Sequence, residues 1–198
     1  MRISKREIIL EAATRCIAED GIEATTTRRI AERAGVSRGL VPYYIPRRKD
    51  LLSAVVLYLF DKLRTDARQT VSNQTGLEWL VNVYRINFEF FLRNKHYYAS
   101  FLLSYYYAGY DKKFLKLHTE QHLYNTGRCA EMLRAELQKR GVVRSPEAIA
   151  LKSEEVLERI DGALLFFSAT KPRQSEEDFI EQRVTAFRAD LEAFFSPS

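Results

Sequence analysis

Glycine and proline are scarce in this chain, and they stand where helices would begin or end. The 198 residues hold only 8 glycines and 5 prolines, and no run alternates apolar and polar residues between hairpin turns. Apolar residues recur every three or four positions, the spacing of an amphipathic helix. The sequence therefore predicts an all-α fold with helices at residues 3–20, 27–34, 38–44, 47–72, 75–93, 95–109, 111–140, 146–170 and 176–195.

Two of these helices start at local capping signals. Ser145 precedes Pro146, and proline is preorganised for the first position of a helix. Ser175 precedes Asp178 by three residues, which resembles a capping box. These signals predict helix starts at residues 146 and 176.

Residues 25–44 contain the order of residue types that a helix-turn-helix requires. Thr26 is a suitable N-cap for the first short helix, and Gly35 allows the positive φ of a tight turn. Val36 is expected to fill the space between the two short helices, and Ser37 is expected to cap the second one. The residues expected to face the core are Ile30, Ala31 and Ala34.

Positive charge is concentrated near the N-terminus. Residues 1–52 hold 11 lysines and arginines against 7 aspartates and glutamates, whereas the whole chain has a formal net charge of +5. The rest of the chain is therefore almost neutral. A basic module on a neutral body is typical of a protein that binds a polyanion such as DNA.

Chemical sites of other kinds find little support. The sequence has no nucleophile elbow and no phosphate-cradling glycine loop, so no enzyme is predicted and no cofactor is expected. His118 and His122 stand four residues apart, with Glu120 and Cys129 nearby. Two histidines without a third ligand in a recognised motif are a weak signal, and no metal site is predicted.

The cellular compartment is inferred from the cysteines and the apolar runs. Cys16 and Cys129 both fall inside helical patterns, which predicts buried thiols rather than a disulfide. The apolar runs are too short to span a membrane, and no signal-peptide core follows Met1. We expect a cytoplasmic protein.

Residues 9–21 and 25–37, together with Asp50-Leu51-Leu52, resemble the N-terminal domain of the tetracycline-repressor (TetR/AcrR) family. The resemblance implies a three-helix, helix-turn-helix DNA-binding domain at residues 1–46. It implies a C-terminal helical bundle for ligand binding and dimerisation at residues 47–198. A homodimer would bind a palindromic operator as a ligand-responsive transcriptional regulator, most simply a repressor, and a small molecule would release it.

The family's DNA contacts are carried over residue by residue. Arg28 would meet phosphate or a base edge, Arg38 can read guanine with a bidentate fork, and Leu40 can touch a thymine methyl group. Arg48 stands where the family has a cation that binds phosphate. The residues expected to bind DNA are Thr26, Thr27, Arg28, Ser37, Arg38, Gly39, Leu40, Tyr43, Tyr44, Arg48 and Lys49.

Pro42 departs from the family pattern, because members usually have a phosphate-binding tyrosine at this position. Proline removes a backbone hydrogen bond and crowds the preceding turn, so the recognition helix is expected to be short, kinked or partly 3₁₀. Tyr43 or Tyr44 would then supply the hydroxyl. Pro42 also favours an alternative function, a helical small-molecule carrier or enzyme with a vestigial helix-turn-helix. An activator with the same DNA contacts is a further alternative.

Aromatic residues with a few polar groups follow the N-terminal module, and this composition is typical of a small-molecule pocket. On the 75–93 helix, Glu78, Asn82, Arg85 and Glu89 share a stripe that is expected to face outward. Asn87 lies opposite, either as a satisfied core asparagine or as a ligand-orienting group. The residues expected to bind a hydrophobic or aromatic effector are Trp79, Tyr84, Asn87, Phe91, Tyr98, Phe101, Tyr105, Phe114, His118, Gln121 and Asn125.

The last two helices carry regular apolar stripes. Two such helices from each protomer would form a four-helix interface about a two-fold axis. An intramolecular core would explain the same stripes, and the family resemblance favours the homodimer. The predicted interface residues are Val156, Leu157, Ile160, Leu164, Phe167, Ile180, Val184, Phe187 and Leu191.

Overall fold

The computed structural model describes residues 4–170 and 175–197, apart from the side chains of Ser168 and Ala169. These residues form helices and contain no strand, which confirms the predicted fold class. Ile3, the predicted first residue of the first helix, lies outside them. The helices are α1 (Lys5–Ala24), α2 (Thr27–Ala34), α3 (Leu40–Tyr44), α4 (Leu51–Val71), α5 (Gly76–Arg93), α6 (Tyr97–Ala108), α7 (Lys112–Arg140), α8 (Pro146–Thr170) and α9 (Glu176–Phe195).

The capping predictions at Ser145 and Ser175 are confirmed. The Ser145 hydroxyl accepts the backbone N–H of Ala148 at 3.2 Å, and the Ser175 hydroxyl accepts that of Asp178 at 3.0 Å. Each bond satisfies a donor that the first turn of a helix leaves unpaired. α8 and α9 therefore begin at the predicted residues.

Several other boundaries differ from the prediction. The predicted end of the first helix is a break inside α1, since Gly21 has φ 80° and ψ 165°. α3 starts at Leu40 rather than at residue 38. A 3₁₀ turn at Arg48–Asp50 precedes α4, where a continuous helix was predicted from residue 47.

The chain divides into two compact units. The first contains the residues up to Arg64 together with Asn94–Lys116, and the second contains Thr65–Arg93 and the residues from Leu117 onward. α6 therefore packs with the helix-turn-helix, although the 29 residues Thr65–Arg93 of the second unit lie between the two segments of the first unit in sequence. The functional boundary between residues 46 and 47 stays a prediction.

The first unit is held together by the Glu11 carboxylate. Tyr97 of α6 donates its hydroxyl hydrogen to this group at 2.6 Å, and His96 Nε2 lies 2.9 Å from it. Tyr58 of α4 lies beside Tyr97, with ring centroids 6.4 Å apart. Burial disfavours the charged carboxylate, but the hydrogen bond from Tyr97 and the close approach of His96 outweigh this and lower the pKa of Glu11 to about 2. Three helices therefore meet at one ionised side chain.

The core of the second unit contains the contact between α5 and α9. The rings of Tyr84 and Phe187 stack with centroids 4.2 Å apart. Arg85 forms an ion pair with Glu181, and Arg188 binds both carboxylate oxygens of Glu78, at 2.7 and 2.9 Å. The stripe that contains Glu78 and Arg85 was predicted to face outward; Glu78 is exposed and Arg85 is half-buried, and both pair with side chains of α9.

The predicted dimer stripes lie mostly inside this unit. α9 presents Phe187 to α5, and Leu164 of α8 is 1% exposed. Side chains buried in the core of their own chain offer no surface to a second copy, so they cannot be the interface side chains. The interface residues that the structure buries in this way are Val156, Ile160, Leu164, Ile180, Val184, Phe187 and Leu191, whereas Leu157 and Phe167 are half-buried.

A buried carboxylate organises the start of α5. Glu136 of α7 accepts the backbone N–H of Leu77 at 3.3 Å, and Arg140 donates to it at 2.8 Å. Gly76 has φ 61°, and a Cβ atom at this position would overlap the Glu136 carboxylate. The conformation and the close approach both require glycine here.

The two cysteines are buried free thiols, as predicted. Burial is the main cause that raises the pKa of Cys129 to about 12, so this thiol stays protonated. Among the described residues, no helix combines the length and the apolar character that a membrane crossing demands.

Replacing Glu11 by glutamine tests the carboxylate that joins α1 to α6. Because folding lowers its pKa from 4.5 to about 2, ionised Glu11 stabilises the fold above pH 4.5. That stability is lost as pH falls towards 2. We expect E11Q to lower the free energy of unfolding by about 1–2 kcal/mol at pH 7 and to converge with the unsubstituted protein near pH 2. Denaturant unfolding across this range measures both effects.

The matched control is E154Q, which removes an exposed carboxylate on α8. This variant is expected to follow the unsubstituted protein at every pH. If the free energies of unfolding of E11Q and of the unsubstituted protein differed by a constant amount from pH 7 to pH 2, a role for the Glu11 charge would be contradicted.

Candidate nucleic-acid interface

The turn between α2 and α3 follows from two residues at the ends of α2. The Thr26 hydroxyl accepts the backbone N–H of Arg29 at 3.2 Å, as predicted for an N-cap. Gly35 ends the helix in the left-handed region, with φ 63° and ψ 37°. A side chain at this position would be strained, which explains why the motif requires glycine. Ile30 and Ala31 are buried and anchor α2 in the core.

The arginines of α2 have two different roles. Arg29 binds Asp20 at 2.9 Å and Arg33 binds Glu19, so both side chains attach α2 to α1. Arg28 points away from α1, and 70% of its side chain is exposed. This is the arginine that the family pattern assigns to DNA.

One carboxylate holds the two arginines that are predicted to contact DNA. Arg28 Nε donates to Glu32 Oε1 at 2.8 Å, and Arg38 Nη2 lies 3.7 Å from the same oxygen. The hydrogen bond from Arg28 is the main cause that lowers the pKa of Glu32. Glu32 therefore brings the two guanidinium groups together at the open end of the helix-turn-helix.

The recognition helix α3 is a single short turn, as Pro42 predicts. Pro42 is its third residue, and the first four N–H groups of a helix have no partner within it. The missing N–H therefore removes no hydrogen bond from the helix. Val41 is fully buried and fixes the turn, while Tyr43 is 75% exposed and meets the half-buried Tyr44 edge to face at 4.9 Å.

The predicted cap at Ser37 is wrong. Gly39 occupies the N-cap position of α3 without a side-chain hydrogen bond. Ser37 contributes its backbone carbonyl instead, which accepts the N–H of Leu40 at 3.0 Å. The Ser37 side chain is exposed, whereas Leu40 is half-buried.

The structure gives Arg48 a role that the sequence does not reveal. Its guanidinium donates to the backbone carbonyls of Ile22 and Glu23, the latter at 2.9 Å. Carbonyls at the end of a helix lack partners within it, so Arg48 caps the end of α1. Lys49, its neighbour in the 3₁₀ turn, is exposed.

Asp50 and Lys113 form a contact that sequence reasoning missed. Lys113 of α7 donates to Asp50 at 2.9 Å and to the Ser53 hydroxyl at 2.8 Å. Arg47 donates to the other oxygen of Asp50 at 2.6 Å. Hydrogen bonds from Arg47 and Lys113 are the largest causes that lower the pKa of Asp50. Because 63 residues separate the partners, no local pattern indicates this pair.

The residues predicted to bind a ligand are divided between the two units. In the first unit, Phe101 and Phe114 are buried, Tyr98 is half-buried and Tyr105 is exposed. Phe101 and Tyr105 meet edge to face, with centroids 5.1 Å apart. This set is an aromatic cluster of α6 and the start of α7.

In the second unit, several predicted ligand residues make internal contacts. Asn87 donates to the carbonyl of Val83 at 2.8 Å, and Gln121 donates to Asn125 at 3.1 Å. The guanidinium carbon of Arg128 lies 5.6 Å from the ring centroid of Trp79. Tyr84 and Phe91 are buried, and His118 is half-buried. A ligand pocket at these residues stays a prediction.

The described residues contain no group of three or more His, Cys, Asp or Glu side chains that could hold a metal ion. Arginine, lysine, serine, threonine and tyrosine dominate the surface of the helix-turn-helix instead. These side chains bind phosphate oxygens and base edges.

Residues 9–55 match the family model described as bacterial regulatory proteins, tetR family. The N-terminal region of this chain belongs to the tetR family. It is 40% identical over 63 residues to the HTH-type transcriptional regulator BetI of Rhizobium meliloti. These residues make up 32% of this chain and 31% of BetI. It is 41% identical over 51 residues to the HTH-type transcriptional repressor AcnR of Corynebacterium diphtheriae. These residues make up 26% of this chain and 27% of AcnR. The aligned part thus spans about a third of these relatives or less.

Solved structures resemble this chain over nearly its whole length. A TetR transcription regulator from Haloarcula marismortui superposes with a TM-score of 0.74 at 23% identity, and covers 94% of this chain and 96% of its own. A transcriptional regulator from Saccharomonospora viridis, solved in complex with choline, gives 0.76 at 21% identity with coverages of 92% and 94%. At these identities the likeness shows the fold, including the helical region after the helix-turn-helix.

Replacing Glu32 by glutamine tests the carboxylate between Arg28 and Arg38. The substitution removes a negative charge that competes with DNA phosphates for both guanidinium groups. We expect E32Q to strengthen binding to DNA of arbitrary sequence several-fold at low salt, with a smaller gain at high salt because screening weakens the repulsion. Fluorescence anisotropy with a labelled duplex at two salt concentrations measures the change.

The matched control is E154Q, which changes the net charge equally in the second unit. An equal gain for both variants would show that only net charge matters. Weaker binding by E32Q than by the unsubstituted protein would show that Glu32 chiefly orients the arginines.

Proposed function

We propose that this protein is a ligand-responsive transcriptional repressor that binds a palindromic operator as a homodimer. The observation that carries the proposal is the exposed pair Arg28 and Arg38, held together by Glu32 on a tetR-type helix-turn-helix. The guanidinium group of an exposed arginine can donate two parallel hydrogen bonds, which match the acceptors of guanine and of phosphate. The basic N-terminal region supplies the long-range attraction for DNA.

The contacts divide into those that position the protein and those that read sequence. Tyr43, Lys49 and Arg28 would bind phosphates around the groove. Arg38, at the start of the recognition segment, would reach the base edges. α3 is short, so few bases per half-site would be read directly, and two half-sites about 34–36 Å apart would supply the specificity.

The alternative of a carrier or enzyme with a vestigial helix-turn-helix depended on Pro42. Pro42 is the third residue of α3, where its missing N–H removes no hydrogen bond from the helix. It therefore gives no reason to expect a defective motif. The surrounding caps at Thr26 and Gly35 are intact. These contacts favour a working DNA-binding domain over a relic of one.

Regulation would act through the Asp50–Lys113 contact. Lys113 binds the first turn of α4 directly after the residues expected to hold phosphate. α7 continues to Arg140 and carries His118, Gln121 and Asn125, which are predicted to bind the ligand. A ligand that shifts the start of α7 would move the 3₁₀ turn. Such coupling typically amounts to about 1–3 kcal/mol.

The effector is proposed to be a small hydrophobic or aromatic molecule. The aromatic side chains of α6 and the start of α7 support this class, and aromatic faces also attract quaternary ammonium groups. The structural neighbour from Saccharomonospora viridis was solved with choline, which makes choline a reasonable first probe. A thermal-shift titration with choline and with planar aromatic compounds tests the proposal.

The homodimer would use the outward side of α8 rather than its buried stripe. Leu151, Leu165 and Phe166 are exposed on this helix, Phe166 by 50%. Large apolar side chains on one outward face are typical of an association surface. A second copy related by a two-fold axis would bury the same residues from both protomers.

Selection of bound sequences from random duplex DNA tests the function, followed by affinity measurements with the double variant R28A/R38A. We expect a palindrome, and we expect the variant to lose roughly tenfold to a hundredfold in operator affinity, because the bidentate base contact of Arg38 would contribute about 1–3 kcal/mol and Arg28 would add a phosphate contact. The matched control is R134A/K139A, which removes two exposed charges from α7. Sequence-independent binding by the unsubstituted protein would contradict an operator-binding function.

The double variant L165E/F166E tests the association surface. Like charges facing each other across a two-fold axis repel, so we expect a dimer to become a monomer in sedimentation velocity while the helical circular dichroism spectrum is retained. V143E introduces a charge at another exposed apolar side chain and is expected to remain dimeric. A monomeric unsubstituted protein, or a dimer that survives the double substitution, would contradict this interface.

A further inference from the structure

A cluster of tyrosines stands exposed where α6 turns into α7. Tyr106 is 68% exposed and Tyr110 is 62% exposed, and their ring centroids lie 5.3 Å apart. Tyr107 completes the cluster at 5.7 and 5.4 Å from the other two rings. We call Tyr106, Tyr107 and Tyr110 the aromatic corner. Large aromatic surface in water is unfavourable unless a partner covers it.

The aromatic corner is fixed beside the 3₁₀ turn that precedes α4. Tyr107 packs on Phe114 at 5.3 Å, and Phe114 is buried. One residue before Phe114, Lys113 binds Asp50 at 2.9 Å and Ser53 at 2.8 Å. Arg48 and Lys49 immediately precede Asp50. The corner is therefore continuous with the first turn of α4 in the same compact unit.

The charge next to the aromatic corner is positive. Residues 111–116 contain three lysines against one aspartate. Asp111 is engaged in capping α7, because its carboxylate accepts the backbone N–H of Lys113 at 2.8 Å. Lys112, two residues after Tyr110 in sequence, is exposed and adds a positive charge to this part of the surface. Tyrosine hydroxyls and lysine ammonium groups are both common donors to DNA phosphate oxygens.

We propose that the aromatic corner, together with Lys112, is a second contact with the DNA backbone that continues the surface of the helix-turn-helix. The inference rests on the proposed function, since it names a further part of the same DNA-binding surface. The tyrosine hydroxyls donate to phosphates and Lys112 neutralises one. The contact does not read sequence, so it strengthens binding to operator and to arbitrary DNA alike.

The test compares K112A and the double variant Y106F/Y110F with the unsubstituted protein. K112A removes one charge, and the phenylalanines keep the rings but remove both hydroxyls. We expect each variant to lose several-fold in affinity for operator and for arbitrary duplex DNA. We also expect K112A to lower the slope of log affinity against log salt by about 0.9, the value for one phosphate. The matched control is K139A, an exposed lysine at the far end of the same helix.

Hydroxyl-radical footprinting supplies a second measurement that does not depend on affinity. At saturating protein, the unsubstituted chain should protect backbone positions outside the half-site contacts, and Y106F/Y110F should lose that protection while keeping the half-sites. Circular dichroism melting checks that the variants remain folded.

The outcomes separate this inference from the proposed function. Loss of operator binding in R28A/R38A with unchanged affinity, slope and footprint in K112A and Y106F/Y110F would overturn the inference alone. Absence of operator binding in the unsubstituted protein would overturn both. A change in oligomeric state in Y106F/Y110F, with an unchanged salt slope in K112A, would assign the corner to a second copy of the chain and overturn the DNA contact.

Discussion

The arrangement of the first unit depends on the ionised carboxylate of Glu11. It lies on α1, yet it binds the Tyr97 hydroxyl and lies 2.9 Å from His96 at the start of α6. A half-buried carboxylate needs such donors, because burial alone would raise its pKa and favour the neutral form. The contacts with Tyr97 and His96 lower the pKa to about 2 instead. α6 is thereby attached to the helix-turn-helix, and the start of α7 is brought to the start of α4.

The same unit distributes similar residues between structural and binding roles. Arg29, Arg33 and Arg48 satisfy carboxylates or helix-end carbonyls within the unit. Arg28 and Arg38 share a carboxylate that stands exposed. An exposed ion pair adds little to stability, and this one leaves both guanidinium groups at the surface. The residue type is the same throughout, and only the position of each guanidinium distinguishes the roles.

Much of the candidate site was predictable because its determinants are local. The N-cap at Thr26, the positive φ at Gly35 and the buried pair Ile30 and Ala31 all depend on neighbours within a turn or two. The capping role predicted for Ser37 was wrong, because α3 starts at Leu40 and Gly39 occupies the N-cap position. The role predicted for Arg48 was incomplete, because the helix-end carbonyls to which it donates lie 25 and 26 residues away in sequence.

The sequence by itself determined the all-α fold, the helix-turn-helix and most helix ends, since the helical period, caps and turns are set by short-range sterics and hydrogen bonds. Only the tertiary structure decided what each apolar face meets. The stripe with Phe187 and Leu191 looked suited to a second copy, but it packs inside its own unit. Periodicity shows that a face is buried without showing against what. For the same reason, pairs such as Glu11 with Tyr97 and Asp50 with Lys113, 86 and 63 residues apart, arise only when the folded chain brings their helices together.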